Sequence, residues 1–223
     1  MVVTGVCAVN CRYCFRRHFS YASNNPGRLG WDDALGYIAA DESIHEVIFS
    51  GGDPLIARDE TLAYLIDALQ NIAHVTTLRI HTRIPVVLPE RVNADLCALI
   101  KRSRLRCVVV LHVNHPHELS DSVMDACERF IQVGCHLLNQ SVLLAGVNDD
   151  AHLLAQLSER LFACGVLPYY LHLLDKVQGA AHFDLPLKNA RAIFRELQRL
   201  LPGYLVPRLA REDAGKKHKT LIR

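Results

Sequence analysis

Short apolar runs alternate with amphipathic stretches along almost the whole chain. Glu46–Ser50, Thr76–Thr82, Cys107–Val113, His136–Leu144 and Pro168–Leu174 read as strands. The stretches near Trp31–Ala40, Glu60–Ile72, Val92–Arg102, Asp121–Val133, Ala151–Cys164 and Leu187–Leu200 carry helical periodicity. Asp149 or Asp150 is placed to cap the helix that starts at Ala151. Strands this short and apolar suit a parallel sheet covered by helices, and repeated βα units imply right-handed crossovers. The pattern predicts an α/β fold, as an open sheet or a barrel. No linker, repeat or low-complexity stretch divides the chain. One short strand, Val2–Gly5, precedes the first motif. In a βα barrel the functional loops follow the strands' C-terminal ends.

The formal net charge is +2 over 223 residues, which leaves no electrostatic footprint for nucleic acid or a membrane surface. No apolar run is long enough to span a bilayer, and the N-terminus does not read as a signal peptide. Of eight cysteines, Cys97, Cys107, Cys127, Cys135 and Cys164 are scattered among apolar residues and read as buried thiols. A reducing cytoplasm is the expected location. Of the twelve histidines, His112, His115 and His172 sit at or near strand ends; they read as polar wall or satisfied core, and none of these three is assigned as a metal ligand.

The remaining cysteines form Cys7-x-x-x-Cys11-x-x-Cys14. Three thiolates in eight residues can wrap one soft metal centre. On a cubane they leave one iron free to chelate a small molecule. Structural zinc is the alternative, with His18 completing a Cys3His set, in which case the chain would be a non-catalytic binding domain. A second motif, Ser50-Gly51-Gly52-Asp53-Pro54-Leu55, follows a strand. Its glycines permit close approach of backbone to a ligand, and Asp53 offers an acceptor for an ammonium group. Ordinary turn chemistry would also account for it.

The cysteine spacing resembles the cluster motif of the radical S-adenosylmethionine (SAM) superfamily, and Tyr13 supplies an aromatic residue often found there. Ser50–Asp53 looks like the family motif that binds the SAM amino group. Cys14–Phe19, Arg83–Pro89, Asn114–Pro116, Asn139–Asp149 and Pro168–Tyr170 resemble lysine 2,3-aminomutases. Tyr170–Phe183 looks most like the bacterial branch that makes (R)-β-lysine for modifying elongation factor P.

This resemblance implies a parallel partial (β/α)6 barrel over residues 1–209 and a loop over 210–223 that carries a lysine for pyridoxal phosphate (PLP). It implies that Cys7, Cys11 and Cys14 hold a [4Fe–4S] cluster and that Ser50, Gly51, Gly52 and Asp53 bind SAM, with His112 and Asn114 lining that site. Lys219, which directly precedes Thr220, matches the Schiff-base lysine, with Lys217 and Lys216 as reserves. Arg16 matches the arginine that pairs the substrate carboxylate, and Asp149 and Glu212 the acids that take its distal ammonium. The implied reaction is an isomerisation of L-lysine, started by reductive cleavage of SAM and completed by nitrogen migration on PLP. The implied partners are an electron donor such as flavodoxin or ferredoxin and, functionally, elongation factor P with its lysyl ligase. A free-lysine aminomutase feeding osmolyte or antibiotic metabolism is the alternative within the family. Relatives also carry a helical segment ahead of the cluster that helps hold the PLP phosphate, and this sequence begins after it.

Overall fold

Four parallel strands open the chain: β1 (Val2–Thr4), β2 (Glu46–Gly51), β3 (Thr77–Thr82) and β4 (Arg106–Leu111). The structure, a computed structural model, describes residues 1–17, 19, 27–213 and 215–222. Val47 pairs with Leu78, and Leu78 with Cys107, so this sheet is in register across its centre. Burial alternates along β2 and β3, with Val47, Phe49, Leu78 and Ile80 fully covered and their neighbours only partly so. One face of this sheet is therefore core and the other is half-open, unlike strands buried on both faces.

Helices fill the predicted gaps: α1 (Arg28–Ala40), α2 (Asp59–Gln70), a short α3 (Ile84–Val87), α4 (Ala94–Lys101) and α5 (Asp121–Gln132). Helix α2 buries Leu62, Leu65, Ile66 and Leu69, the i, i+3, i+4, i+7 stripe of an amphipathic helix. Each such side chain contributes about 1.5–3 kcal/mol of transfer free energy. Asn93 starts α4 by accepting from the Leu96 N–H at 2.9 Å. Arg104 is spent structurally, donating to the carbonyls of Gln70, Ile72 and Val75 beyond the end of α2.

The chain divides into two compact units. The first holds residues 1–9, 19–111 and 125–137, and the second holds 10–18, 112–124 and 138–223. This division cuts within the segment expected to be one core. The second unit takes β5 (His136–Val142) from residue 138 onward, then α6 (Ala151–Ala163), β6 (Val166–His172), α7 (Leu187–Leu200), β7 (Arg208–Arg211) and β8 (Thr220–Leu221). Its core gathers Leu143, Leu154, Leu171, Ala190, Leu197, Leu209 and Ile222. Asp150, rather than Asp149, caps α6 by accepting from Leu153 N–H at 2.9 Å.

Strands β7 and β8 carry no local signal strong enough to show in the sequence. They form because a partner is available: β7 lies parallel to β6, and β8 turns back antiparallel on β7. The stretch between them is thereby the connection of a hairpin.

Candidate functional site

In the first unit, the Gly-Gly-Asp turn leaves β2 and grips the segment that leads into Cys7. Gly52 N–H donates to the Thr4 carbonyl and Asp53 N–H to the Val6 carbonyl, each at 2.8 Å. A Cβ on Gly51 would lie 2.2 Å from the Thr4 oxygen, and one on Gly52 would lie 2.2 Å from the Val6 oxygen. Gly51 also has φ +130°, a conformation that side chains disfavour. The close approach expected at this motif is thus met by the chain's own backbone ahead of the first cysteine.

Asp53 is bonded within the fold. It is 6% exposed, and its carboxylate accepts from Leu55 N–H at 3.1 Å, Thr82 Oγ1 at 2.7 Å and Arg83 N–H at 2.7 Å. Burial pushes its pKa up, and these hydrogen bonds pull against that rise. These bonds cap the Pro54–Ile56 turn and leave the carboxylate further acceptor capacity. Ser50, half-buried, donates its N–H to the Met1 carbonyl at 3.0 Å.

The cysteines sort by exposure as their spacing predicts. Cys7 is exposed and Cys11 and Cys14 are half-buried, whereas Cys97, Cys107, Cys127, Cys135 and Cys164 are all buried. Burial contributes to pushing the Cys97, Cys107 and Cys164 thiols above their usual range, as suits inert core thiols. Among the described residues, no three His, Cys, Asp or Glu side chains are gathered at metal-binding distance. The alternative zinc ligand, His18, lies outside the described residues. By their chemistry, three thiols within eight residues suit a soft metal centre.

In the second unit, Cys14 N–H donates to the Cys11 carbonyl at 3.2 Å and Arg17 N–H to the Cys14 carbonyl at 3.1 Å. Between these cysteines, Tyr13 accepts a hydrogen bond from the Asn114 amide. Asn114 is buried and its Oδ1 accepts from Val142 N–H at 2.8 Å, so its side chain is occupied within the fold. His112 is half-buried with its Nε2 3.0 Å from the Gln140 Nε2. Arg16, half-buried, sets its guanidinium 5.0 Å from the Phe15 ring centroid.

The hairpin register explains the C-terminal cluster. Arg211 pairs with Thr220, which puts Glu212 and Lys219 opposite each other one step beyond the last pair. Their side chains form an ion pair, and Lys219 Nζ lies 5.5 Å from the Tyr170 ring centroid. Of the three lysines in the run, Lys216 and Lys217 are exposed and Lys219 is half-buried. His172, the last residue of β6, has its ring 5.3 Å from that of Tyr170. Burial, then the Lys219 charge, depress its pKa to about 4, against an opposing pull from Glu212. His172 is therefore neutral near pH 7.

Two carboxylates escaped the sequence reading. Asp175 feels both Glu212 and Lys219: burial and the Glu212 charge raise its pKa while Lys219 lowers it. Asp149 is used differently, since its Oδ1 accepts from Gly146 N–H at 2.9 Å within its own exposed loop. The sequence showed Asp175 inside the Tyr170–Phe183 motif, but nothing local distinguished it from a surface charge. Asp213 organises the hairpin connection, accepting from Arg211 Nε at 2.8 Å and from the Thr220 hydroxyl at 2.5 Å. Those bonds lower its pKa to about 2, with the Thr220 bond the largest cause.

Comparison with known proteins follows the same division of motifs. Residues 1–157 match the model of the Radical SAM superfamily. L-lysine 2,3-aminomutase of Haemophilus influenzae is 57% identical over 97% of this chain, which covers 64% of that protein. The enzyme of the same name from Escherichia coli is 52% identical over 99% of this chain, again covering 64% of that protein. The one from Clostridium subterminale is 36% identical over 100% of this chain and 53% of its own length. The chain thus spans less than two thirds of these relatives. Among solved structures, Streptococcus suis SuiB bound to S-adenosylmethionine has a TM-score of 0.65 at 15% identity, covering 96% of this chain and 50% of that one. Spore photoproduct lyase has a TM-score of 0.52 at 12% identity, covering 89% of this chain and 72% of that one. These likenesses bear on the fold, and they agree with the parallel α/β architecture predicted from the sequence.

Proposed function

The chain belongs to the radical SAM superfamily, and from that premise we propose that it is a PLP-dependent lysine 2,3-aminomutase that makes (R)-β-lysine for modifying elongation factor P. One observation carries the substrate reading: Lys219 pairs with Glu212 on the β7–β8 hairpin, and both charges act on Asp175 just after β6. The high identity to proteins named L-lysine 2,3-aminomutase supports it.

In this reading Cys7, Cys11 and Cys14 ligate the cluster as thiolates, and the turn at Ser50–Gly52 lies on the SAM side. When bound, the cluster with SAM supplies a carbon radical able to remove hydrogen from an unactivated carbon, and PLP supplies a conjugated system that eases nitrogen migration. Lys219 holds PLP. Its fit rests on its half-buried place beside the Tyr170 ring, opposite Glu212 on the hairpin. Arg16 offers a planar fork for the substrate carboxylate. Glu212, Asp149 and Asp175 offer negative charge for the distal ammonium. No helix among the described residues is long and apolar enough to cross a membrane. A reducing cytoplasm with a flavodoxin- or ferredoxin-type donor suits this chemistry.

The test is anaerobic incubation of the protein with L-lysine, SAM, PLP and a one-electron reductant, followed by chiral analysis. The expected product is (R)-β-lysine. Formation of 5′-deoxyadenosine with no β-lysine would refute the aminomutase assignment, and (S)-β-lysine would refute the elongation-factor branch.

A further inference from the structure

The two residues between Cys11 and Cys14, Arg12 and Tyr13, tie that stretch to the rest of the second unit. Tyr13 lies between Cys11 and Cys14, and its hydroxyl accepts from Asn114 Nδ2. Asn114 is itself held on several sides. Its Oδ1 accepts from Val142 N–H at 2.8 Å, its N–H donates to Glu118 Oε1 at 2.8 Å, and its carbonyl accepts from Asn148 Nδ2 at 2.9 Å. Asn148 is 0% exposed, and it also takes the Leu144 N–H at 2.7 Å and donates to the Val142 carbonyl at 2.9 Å. The tyrosine hydroxyl is therefore bonded to a buried amide whose position is fixed by the end of β5.

Arg12 adds a second strut. Its Nη2 is 3.1 Å from His182 Nε2, which must accept because a guanidinium only donates. Its guanidinium also lies 5.2 Å from the Phe183 ring centroid. The Phe183 carbonyl in turn accepts from Ala145 N–H at 2.9 Å, so this strut ends on the loop after β5 as well.

We propose that Tyr13 is a positioning residue for the cluster: its hydroxyl, through Asn114, ties the stretch that carries Cys11 and Cys14 to the end of β5. A ring alone in that place would pack without setting the loop's register. Asn114, expected from sequence to line the SAM site, acts here as the anchor for Tyr13. This inference rests on the cluster assignment at Cys7, Cys11 and Cys14.

The test compares wild type, Tyr13→Phe, Asn114→Ala and the double variant after anaerobic reconstitution. Cluster loss under an iron chelator is followed by the decay of cluster absorbance. Each single variant should lose its cluster faster, by roughly twofold to twelvefold, the range set by one net hydrogen bond. The double variant should be no faster than the faster single variant, because both remove the same bond. The EPR signal of the reduced cluster with SAM should shift in Tyr13→Phe, while the melting of the metal-free protein stays unchanged. Asn114→Ala disturbs a buried network and could fail to fold, but Tyr13→Phe removes one oxygen from a half-buried ring and decides the matter alone. An unchanged decay and an unchanged EPR signal in Tyr13→Phe would overturn the inference, as would strictly multiplicative effects in the double variant. A wild-type protein that takes up no iron would overturn the cluster assignment itself, and with it the tether.

Discussion

Two loops of the second unit bring reactive side chains to the surface, and they are held in contrasting ways. The cysteine loop is fixed largely through neutral amides: Asn114 and Asn148 are buried, their side-chain hydrogen bonds run to backbone groups and a tyrosine, and Arg12 adds a strut to His182. The β7–β8 hairpin is fixed through charges: Arg211, Asp213, Lys216, Glu212 and Lys219 are ion-paired, and all are exposed or half-buried. A buried amide network has few alternatives and rigidifies its site. Exposed ion pairs gain little individually and weaken with salt. The difference suits the proposed roles. Metal ligands need a fixed shape, whereas a lysine that exchanges partners needs neighbours that release it.

The largest expected effect is a clean crossover between the two loops. Cys14→Ala should abolish iron binding yet leave Lys219 able to take a pyridoxyl label on borohydride reduction with PLP. Lys219→Ala should lose that label and keep the iron. Peptide mapping and iron analysis on the same preparations check both arms. A label on Lys216 or Lys217 in the wild type would break the register derived from the Arg211–Thr220 pair.

A smaller effect is expected from the hairpin's charges. Asp213→Asn removes the carboxylate that Thr220 and Arg211 share, so amide exchange at Thr220 and Leu221 should quicken. High salt should quicken exchange at the same amides and leave Val142 and Leu144 unaffected, because their partners are buried asparagine oxygens. Equal salt sensitivity at both places would erase the contrast.

The smallest effect concerns pH. His172 has a folded pKa of about 4, below its unfolded value of 6.5, through burial first and Lys219 second. The unfolded chain therefore binds a proton that the folded chain refuses. His172 costs no stability above pH 6.5, and stability falls as pH drops from 6.5 towards 4. His172→Gln should flatten that limb of a denaturation-versus-pH curve. An unchanged limb would show that the imidazole is not buried against Lys219.

Much of the fold could be read before the structure. The helices at Asp121–Gln132 and Leu187–Leu200 and the strand at His136–Val142 fall where periodicity placed them, because their burial is written in local spacing. Strands β7 and β8 were invisible, since four and two residues carry no period and take their shape from pairing partners. At the site, the split between open and buried cysteines was legible from spacing alone. The internal partners of Asp53 and the surroundings of Asp175 were not. A carboxylate in a Gly-Gly-Asp turn looks the same whether it faces a ligand or caps a 3-10 turn with three internal donors. Asp175 gains meaning from the hairpin that brings Glu212 and Lys219 near it, and that hairpin had no sequence signal.

The central claim is that Cys7, Cys11 and Cys14 hold a SAM-cleaving cluster. Its most direct test is iron, sulfide and zinc analysis of anaerobically prepared protein, combined with assay of 5′-deoxyadenosine after reduction in the presence of SAM. The account predicts about four irons and four sulfides per chain, as a [4Fe–4S] cluster requires, with 5′-deoxyadenosine formed. Stoichiometric zinc without iron, and no 5′-deoxyadenosine, would contradict it.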